Sequence, residues 1–433
     1  MKRDSWRQQA RPHLWRAWRG LVWASPGQID AGTASIATFA AGLFAVARLD
    51  VTQLGAYSLL FGAFIVVNQV ATELVLVPAQ VIAIDQPMEA RLGMLRHSIP
   101  RGALVAVPAA LVLPLGLLPL INTAPISDLA PLALTAVVLA CLSPLQDHVR
   151  SMFHLSSRSW VSAFMSVLHV AGTGVALVLL GNRYPLWAPF GALALGNALS
   201  LILAGMVFDR IRPNDCQPPA RSEMASMGRW LLFNGLSKTG SAYAARALLN
   251  TFAGITALGF VEAARVVSQP LNVLSLGLIA QVGPRLTEAG ATRNLRAAKL
   301  WRRRFFGLFS VVGIPYVALT AFPSRFNPLA ILTPRAYEIS GLTVATMIGV
   351  MAACFLRPFR VELLGVRLQK VVTQATLVGS LIELGLMPLA RIIGPYVVPL
   401  GLVFGTLAGL LIFYRKIQDI YSPEPSSVSS SST

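Results

Sequence analysis

The sequence predicts an all-α polytopic membrane protein, with about twelve transmembrane helices in two six-helix lobes related by a pseudo-twofold axis. Three observations predict it. Of 433 residues, 55% are hydrophobic and only 12% charged, with a mean hydropathy of +0.63, whereas a soluble domain carries roughly 25% charged residues. The apolar residues fall in runs of about 20, the length that crosses the hydrocarbon of a bilayer. The basic residues collect in alternate gaps between those runs. A soluble α-helical protein of this size would need polar faces that this chain does not have.

Residues 1–27 are basic and lack an apolar core or a cleavage site, so they are not read as a signal peptide. Leu14, Trp18, Leu21 and Val22 recur at near-helical spacing with arginines between them. They predict an amphipathic cytoplasmic N-terminus lying on anionic lipid, the alternative being a plain cytosolic tail. The crossings follow at 28–48, 54–84, 100–121, 128–148, 159–180 and 187–207, then 229–251, 256–283, 305–322, 338–357, 368–388 and 393–414. Pro108 and Pro114 fall within the third; membrane helices accept such residues because neighbours satisfy the freed backbone groups. The first six crossings make an N-lobe, 28–207. The Pro-containing gap 208–228 is a cytoplasmic linker, and 229–414 make a C-lobe. Residues 415–433, ending SPEPSSVSSSST, are expected to be a disordered cytoplasmic tail.

Charge fixes the expected orientation. With the N-terminus cytoplasmic, 28 of the 36 lysines and arginines lie in inner segments. Outer gaps hold only Arg48, Arg183, Arg325, Arg335 and Arg391, and Lys238, Arg246 and Arg265 lie inside spans. This is the positive-inside asymmetry of a multi-pass inner (plasma) membrane protein with both termini in the cytoplasm. The pattern also repeats: a basic loop follows the second span (Arg91 to Arg101) and the eighth (Arg285 to Arg304). Arg150 and Arg158 close the fourth span as Arg360 and Arg367 close the tenth. A spacing of about 205–210 residues between matching features predicts two parallel repeats about an axis along the membrane normal.

Composition excludes several function classes. The net charge of +18 is spread over short inter-span gaps, unlike the clustered patch of a nucleic-acid binder. Cys141, Cys216 and Cys354 are too far apart for a disulfide framework or a metal box, and the five histidines form no HExxH pair. No metal or cofactor is expected. Short outer gaps leave no room for a catalytic lid, and no phosphate cradle or nucleophile elbow appears, so the chain is not expected to be an enzyme.

The informative residues are ionisable groups within the spans, each costing roughly +2.5 to 3.5 kcal/mol to insert even on a lenient scale. Lys238 and Arg246 of the seventh span lie within roughly 80° of each other and about 12 Å apart in depth. With Arg265 they are candidates for a cationic cavity that binds anionic substrate, the alternatives being snorkelling or local pairing. Glu262 and Arg265, at i and i+3, suit a local ion pair equally well. Glu73, Glu383 and Glu262 are candidates for ion coupling, or else hydrogen-bonded structural acids. Small residues, as in AGTASIATFAAGLFAVA at 31–47, permit close helix packing without identifying a substrate.

Three runs carry a family resemblance: ARLDVTQLGAYSLLFGAF at 47–64, LQDHVRSMFHLSSRSWVSAF at 145–164 and LGFVEAARVVSQPLNVLSLGLIAQVGPRLTE at 258–288. They resemble, in turn, the first-to-second helix junction, the fourth-to-fifth junction and the eighth helix of polysaccharide flippases. These belong to the multidrug/oligosaccharidyl-lipid/polysaccharide (MOP) exporter superfamily, and the likeness is to its O-antigen flippase-like branch. About twelve helices, where lipid II flippases of the superfamily have fourteen, point to the same branch; Asn68, Gln69 and Glu73 match no known position. The resemblance implies a MATE/MOP-like fold with alternating access. It also implies a lipid-linked (undecaprenyl-diphosphate) oligosaccharide as cargo, membrane lipids as surroundings, and other membrane proteins of polysaccharide assembly as partners. A cation-coupled drug antiporter and a non-transporting scaffold of such an assembly complex are the rival readings.

Overall fold

The computed structural model describes residues 30, 32–33, 35–120, 126–211, 220–322, 326–333, 337 and 339–421. Its principal helices are α1 (Ser35–Arg48), α2 (Val51–Ile84), α3 (Met88–Leu118), α4 (Ile126–Leu155), α5 (Ser159–Gly181) and α6 (Ala188–Ile211). A long stretch, Arg221–Ala291, is broken at Gly254 (φ 86°, ψ 167°) into α7 (221–253) and α8 (255–291). Then come α9 (Leu295–Ala321), α10 (Ser340–Gly365), α11 (Gln369–Leu386) and α12 (Val397–Tyr421). Among the described residues, nine helical stretches are long and apolar enough to cross a membrane. Two of them, Ser222–Ala291 and Gln369–Tyr421, are long enough for two crossings each, and the shorter apolar Ser35–Arg48 adds one more. Among the described residues these stretches follow the order of the spans that the hydropathy pattern predicts.

Local sequence explains the breaks. Gly254 takes a left-handed φ that a side chain would resist, and it lies in the short outer gap 252–255 read from the sequence. Asp50 caps α2 with a capping box, accepting from the backbone N–H of Gln53 at 2.8 Å while the Gln53 side chain reaches back. Pro114 falls where α3 tightens into a 3₁₀ stretch, Leu113–Leu120, because proline cannot continue the α ladder. Between α11 and α12 the chain passes through two 3₁₀ turns and Gly394 (φ 59°).

The ends of α4 and α10 are built alike, 210 residues apart. Ser157 (φ 59°) and Arg367 (φ 62°) adopt the left-handed conformation. In one turn the N–H of Arg158 donates to the carbonyl of Phe153 at 2.7 Å; in the other the N–H of Leu368 donates to Leu363 at 3.0 Å. This is the Schellman closure of a helix end. It recurs at the spacing of the predicted internal repeat.

The chain divides into two compact units, Met1–Arg246 and Ala247–Thr433. The first has a core of Leu76, Ala79, Leu95, Met152, Phe153 and Met165 at its basic end. A cluster of Tyr57, Phe61, Phe64 and Phe190 packs with ring centroids 5.2–6.4 Å apart. The second contains Phe305, Phe306, Phe309, Phe355 and Phe359, stacked and edge-on. Large apolar side chains face outwards on both, among them Leu104, Val178, Val311 and Ile392. Soluble monomers do not expose apolar surface on this scale; a multi-pass membrane protein does.

Two expected boundaries are corrected. Residues 415–421, expected in a disordered tail, continue α12, because the Tyr421 hydroxyl is anchored on Glu362 at 2.8 Å. The expected linker 208–228 is helical at both ends, where α6 runs to Ile211 and α7 begins at Arg221. The predicted amphipathic segment 1–27 and the tail beyond Tyr421 lie outside the described residues, as do 212–219 within the linker.

Candidate functional site

The polar feature the sequence singled out in the second span is set by a proline. Pro78 has no N–H to give the carbonyl of Leu74, one turn earlier. There α2 widens into a π-turn, Thr72–Leu76, and the N–H of Val77 donates to Thr72. Such turns are uncommon and cluster at functional positions. Glu73 lies within this one.

Against the turn lies α7, running antiparallel to α2 inside the first unit. Gly228 faces the carbonyl of Leu74 so closely that a Cβ there would stand 2.3 Å from its oxygen. Seven residues on, a Cβ at Gly235 would be 3.1 Å from Cγ of Glu73 and 3.3 Å from Oε1 of Gln69. At the other end of the seam, a Cβ at Gly62 would be 3.1 Å from Nη1 of Arg246 and 3.4 Å from Cδ2 of Tyr243. Glycines on both helices therefore admit large polar side chains from the partner. Lys238 is exposed, one turn beyond Gly235. Arg246 lies half-buried over Gly62, with a long contact (3.5 Å) from its guanidinium to the Ala242 carbonyl. So Glu73 and Gln69 of α2 and Tyr243 and Arg246 of α7 lie on one α2–α7 seam, and Lys238 is exposed on α7 three residues from Gly235.

The other expected site residues lie in the second unit. Arg265 grips Glu262 with two nitrogens, at 2.9 and 2.6 Å, and Glu262 is 1% exposed. The i,i+3 pairing anticipated from the sequence is present, and it neutralises much of the charge Arg265 would offer a ligand. Glu383 of α11 packs on Gly401 of α12, where a Cβ would stand 3.1 Å from its Cγ.

Two charged clusters were not legible beforehand. In the first unit Asp30, just ahead of α1, accepts from Arg150 Nε at 2.9 Å and Nη2 at 2.8 Å. It also meets His154 Nε2 at 2.9 Å and accepts from the Ser166 hydroxyl. The Asp30 side chain is 7% exposed and that of Arg150 13%. Ser162, Ser166, His169 and Thr173 continue from this cluster along one buried face of α5. In the second unit Glu362 of α10 meets Arg302 of α9 at 3.2 Å and the Tyr421 hydroxyl of α12 at 2.8 Å. Arg150 and Arg302 read in sequence only as positive-inside charges. Their partners are 120 and 60 residues away, which no local spacing reveals.

Among the described residues no group of three or more metal-ligating side chains is assembled. The apolar helices define the fold class of a multi-pass membrane protein. No family model matches the chain, and no curated protein matches it. Solved structures share its fold. The chain is similar to a multidrug resistance MATE family transporter of the MOP superfamily in an inward-facing conformation. The TM-score is 0.73 and the identity 14%, over 90% of this chain and 96% of that one. It is similar to the lipid II flippase MurJ in an inward closed conformation, with a TM-score of 0.64 and 12% identity over 93% and 90%. A MATE structure in complex with MaD3S matches with a TM-score of 0.63 and 14% identity over 93% and 96%. These neighbours are transporters or flippases, not enzymes.

Proposed function

We propose that the chain is a MOP-type transporter of the inner membrane that moves an anionic lipid-linked oligosaccharide, carried on undecaprenyl diphosphate, across the bilayer by alternating access. The observation that carries this reading is the cationic run of α7. Lys238 and Arg246 both belong to this apolar helix, Lys238 exposed and Arg246 half-buried over Gly62 of α2. A diphosphate is a fitting partner for such groups, since charge-assisted bonds to phosphate are strong where water is scarce. Arg265, held by Glu262, is a secondary contact at most. Glu73 and Glu383 are the carboxylates proposed for ion coupling. Other membrane proteins of polysaccharide assembly are the proposed partners.

A second reading, a MATE-type cation antiporter, is favoured by a specific observation: Glu73 stands in a π-turn on the α2–α7 seam, and a membrane carboxylate is the usual counter-charge for a cationic substrate. Proteoliposomes separate the two. A fluorescent polyprenyl-diphosphate glycan, read by accessibility to an impermeant quencher, is expected to cross in the presence of the protein. Lys238→Ala is expected to abolish that movement while leaving the amount of membrane-inserted protein unchanged. Uptake of an organic cation with no glycan movement would establish the antiporter reading. Neither transport, with Lys238→Ala silent in a cellular glycan-export assay, would leave the scaffold.

A further inference from the structure

A cavity of about 730 Å³ opens on the second unit, between the basic ends of α9, α10 and α12. Its wall carries Lys299, Arg302 and Arg303; its floor carries Phe306, Phe359 and Tyr414. The two parts follow from the sequence. Residues 299–304 of α9 read KLWRRR and precede its apolar stretch, so cations lie at the interface and aromatics one turn deeper.

The three cations are not equivalent. Arg302 is 11% exposed, is ion-paired with Glu362 and lies over the Phe359 ring at 5.0 Å; it is part of the wall. Lys299 and Arg303 are exposed. They are four residues apart on α9 and so on one face, where like charges repel unless an anion sits between them. Among the described residues no carboxylate lines the cavity. The volume lies in the range of small-molecule sites, roughly 300–1,000 Å³. A ligand that suits both ends is anionic at the head and apolar along its body. Basic pockets between membrane helices hold phosphate head groups for this reason.

We propose that this cavity binds one phosphate-bearing anionic lipid, its phosphate on Lys299 and Arg303 and its acyl chain along Phe306, Phe359 and Tyr414. The site is separate from the α2–α7 seam and stands whichever cargo the protein moves. Its lipid belongs to the leaflet that the charge pattern assigns to the cytoplasm.

The test uses the full-length protein in detergent, with retained lipid read by native mass spectrometry. Phosphatidylglycerol is expected to remain bound and phosphatidylcholine to wash off. Each cation near an anionic group is worth about fivefold in affinity, so the double variant Lys299→Gln, Arg303→Gln is expected to retain it roughly 30-fold more weakly. Lys299→Arg, Arg303→Lys is expected to keep it. Undiminished retention by the Gln variant, equal retention of phosphatidylcholine, or displacement of the lipid by inorganic phosphate alone would each overturn the proposal. A photoreactive phosphatidylglycerol on the unaltered protein gives a reading free of folding effects: labelling of peptides containing Phe306 or Tyr414 supports the site, and labelling only elsewhere overturns it.

Discussion

Removing the Asp30 carboxylate is expected to loosen the first unit substantially. In Asp30→Ala, Arg150 loses both of its bonds to that carboxylate while remaining nearly buried, and His154 and Ser166 lose their shared acceptor. Breaking a buried ion pair by removing one partner costs about 3–5 kcal/mol, because the surviving charge is uncompensated. For a unit of this size each kcal/mol moves the melting midpoint by roughly 2–4 °C, so a fall of roughly 6 to 20 °C is expected. Asp147 offers an internal contrast. It also bonds Arg150, at 3.0 Å, but is 55% exposed and only three residues away, and exposed pairs are worth about 0–1 kcal/mol. Asp147→Ala is expected to move the midpoint by no more than roughly 4 °C. Detergent-solubilised protein heated in steps and read by size-exclusion fluorescence gives both numbers at one heating rate, as irreversible unfolding requires. Asp30→Ala together with Arg150→Met completes the cycle and is expected to recover part of the loss. An Asp30→Ala midpoint equal to that of Asp147→Ala, or strict additivity in the double variant, would refute the claim that this cluster ties α1, α4 and α5 together.

The remaining expectations are narrower. Gly365→Ala would place a Cβ 2.2 Å from the backbone oxygen of Thr287 and is expected to cost about 1–3 kcal/mol. Gly277→Ala, with nothing within 4 Å, is expected to be neutral or slightly stabilising; the same heating assay compares them. Ser157→Gly relieves a left-handed φ and is expected to add about 1 kcal/mol, seen as a raised midpoint. Glu362→Ala is expected to destabilise the second unit and expose the end of α12 to protease near Tyr421, because both Arg302 and Tyr421 lose their anchor.

Much of the fold was readable because hydrophobic run length and charge alternation act over 20 residues or fewer. The spans, the break near Gly254 and the Glu262–Arg265 pair are all of that local kind. Glu73, Lys238 and Arg246 were marked as unusual by depth alone, and the structure adds that Glu73 and Arg246 pack at glycines where α2 and α7 meet. What stayed hidden was long-range pairing: Asp30 with Arg150, Arg302 with Glu362, and the packing of α7 on α2. An arginine destined for a buried carboxylate and one destined for lipid phosphate look the same at the end of a hydrophobic run. The tail boundary failed for the same reason, since low polarity was sought for helix and a tertiary hydrogen bond from Tyr421 supplied it instead.

The widened turn in α2 has a consequence for angular phase. A π-turn amounts to one residue inserted into an otherwise regular helix, so every position beyond it is turned back by about 100° relative to an unbroken helix. The stretches of α2 before and after Thr72–Leu76 thus address their surroundings as two rods joined out of step. Gly62 in the early rod and the Leu74 backbone within the splice both meet α7. Deleting one residue here would leave an apolar rod of nearly the same length, still fit to cross a bilayer. It would turn one half away from its antiparallel neighbour, so this part of the protein specifies partners by rotation rather than by hydrophobicity.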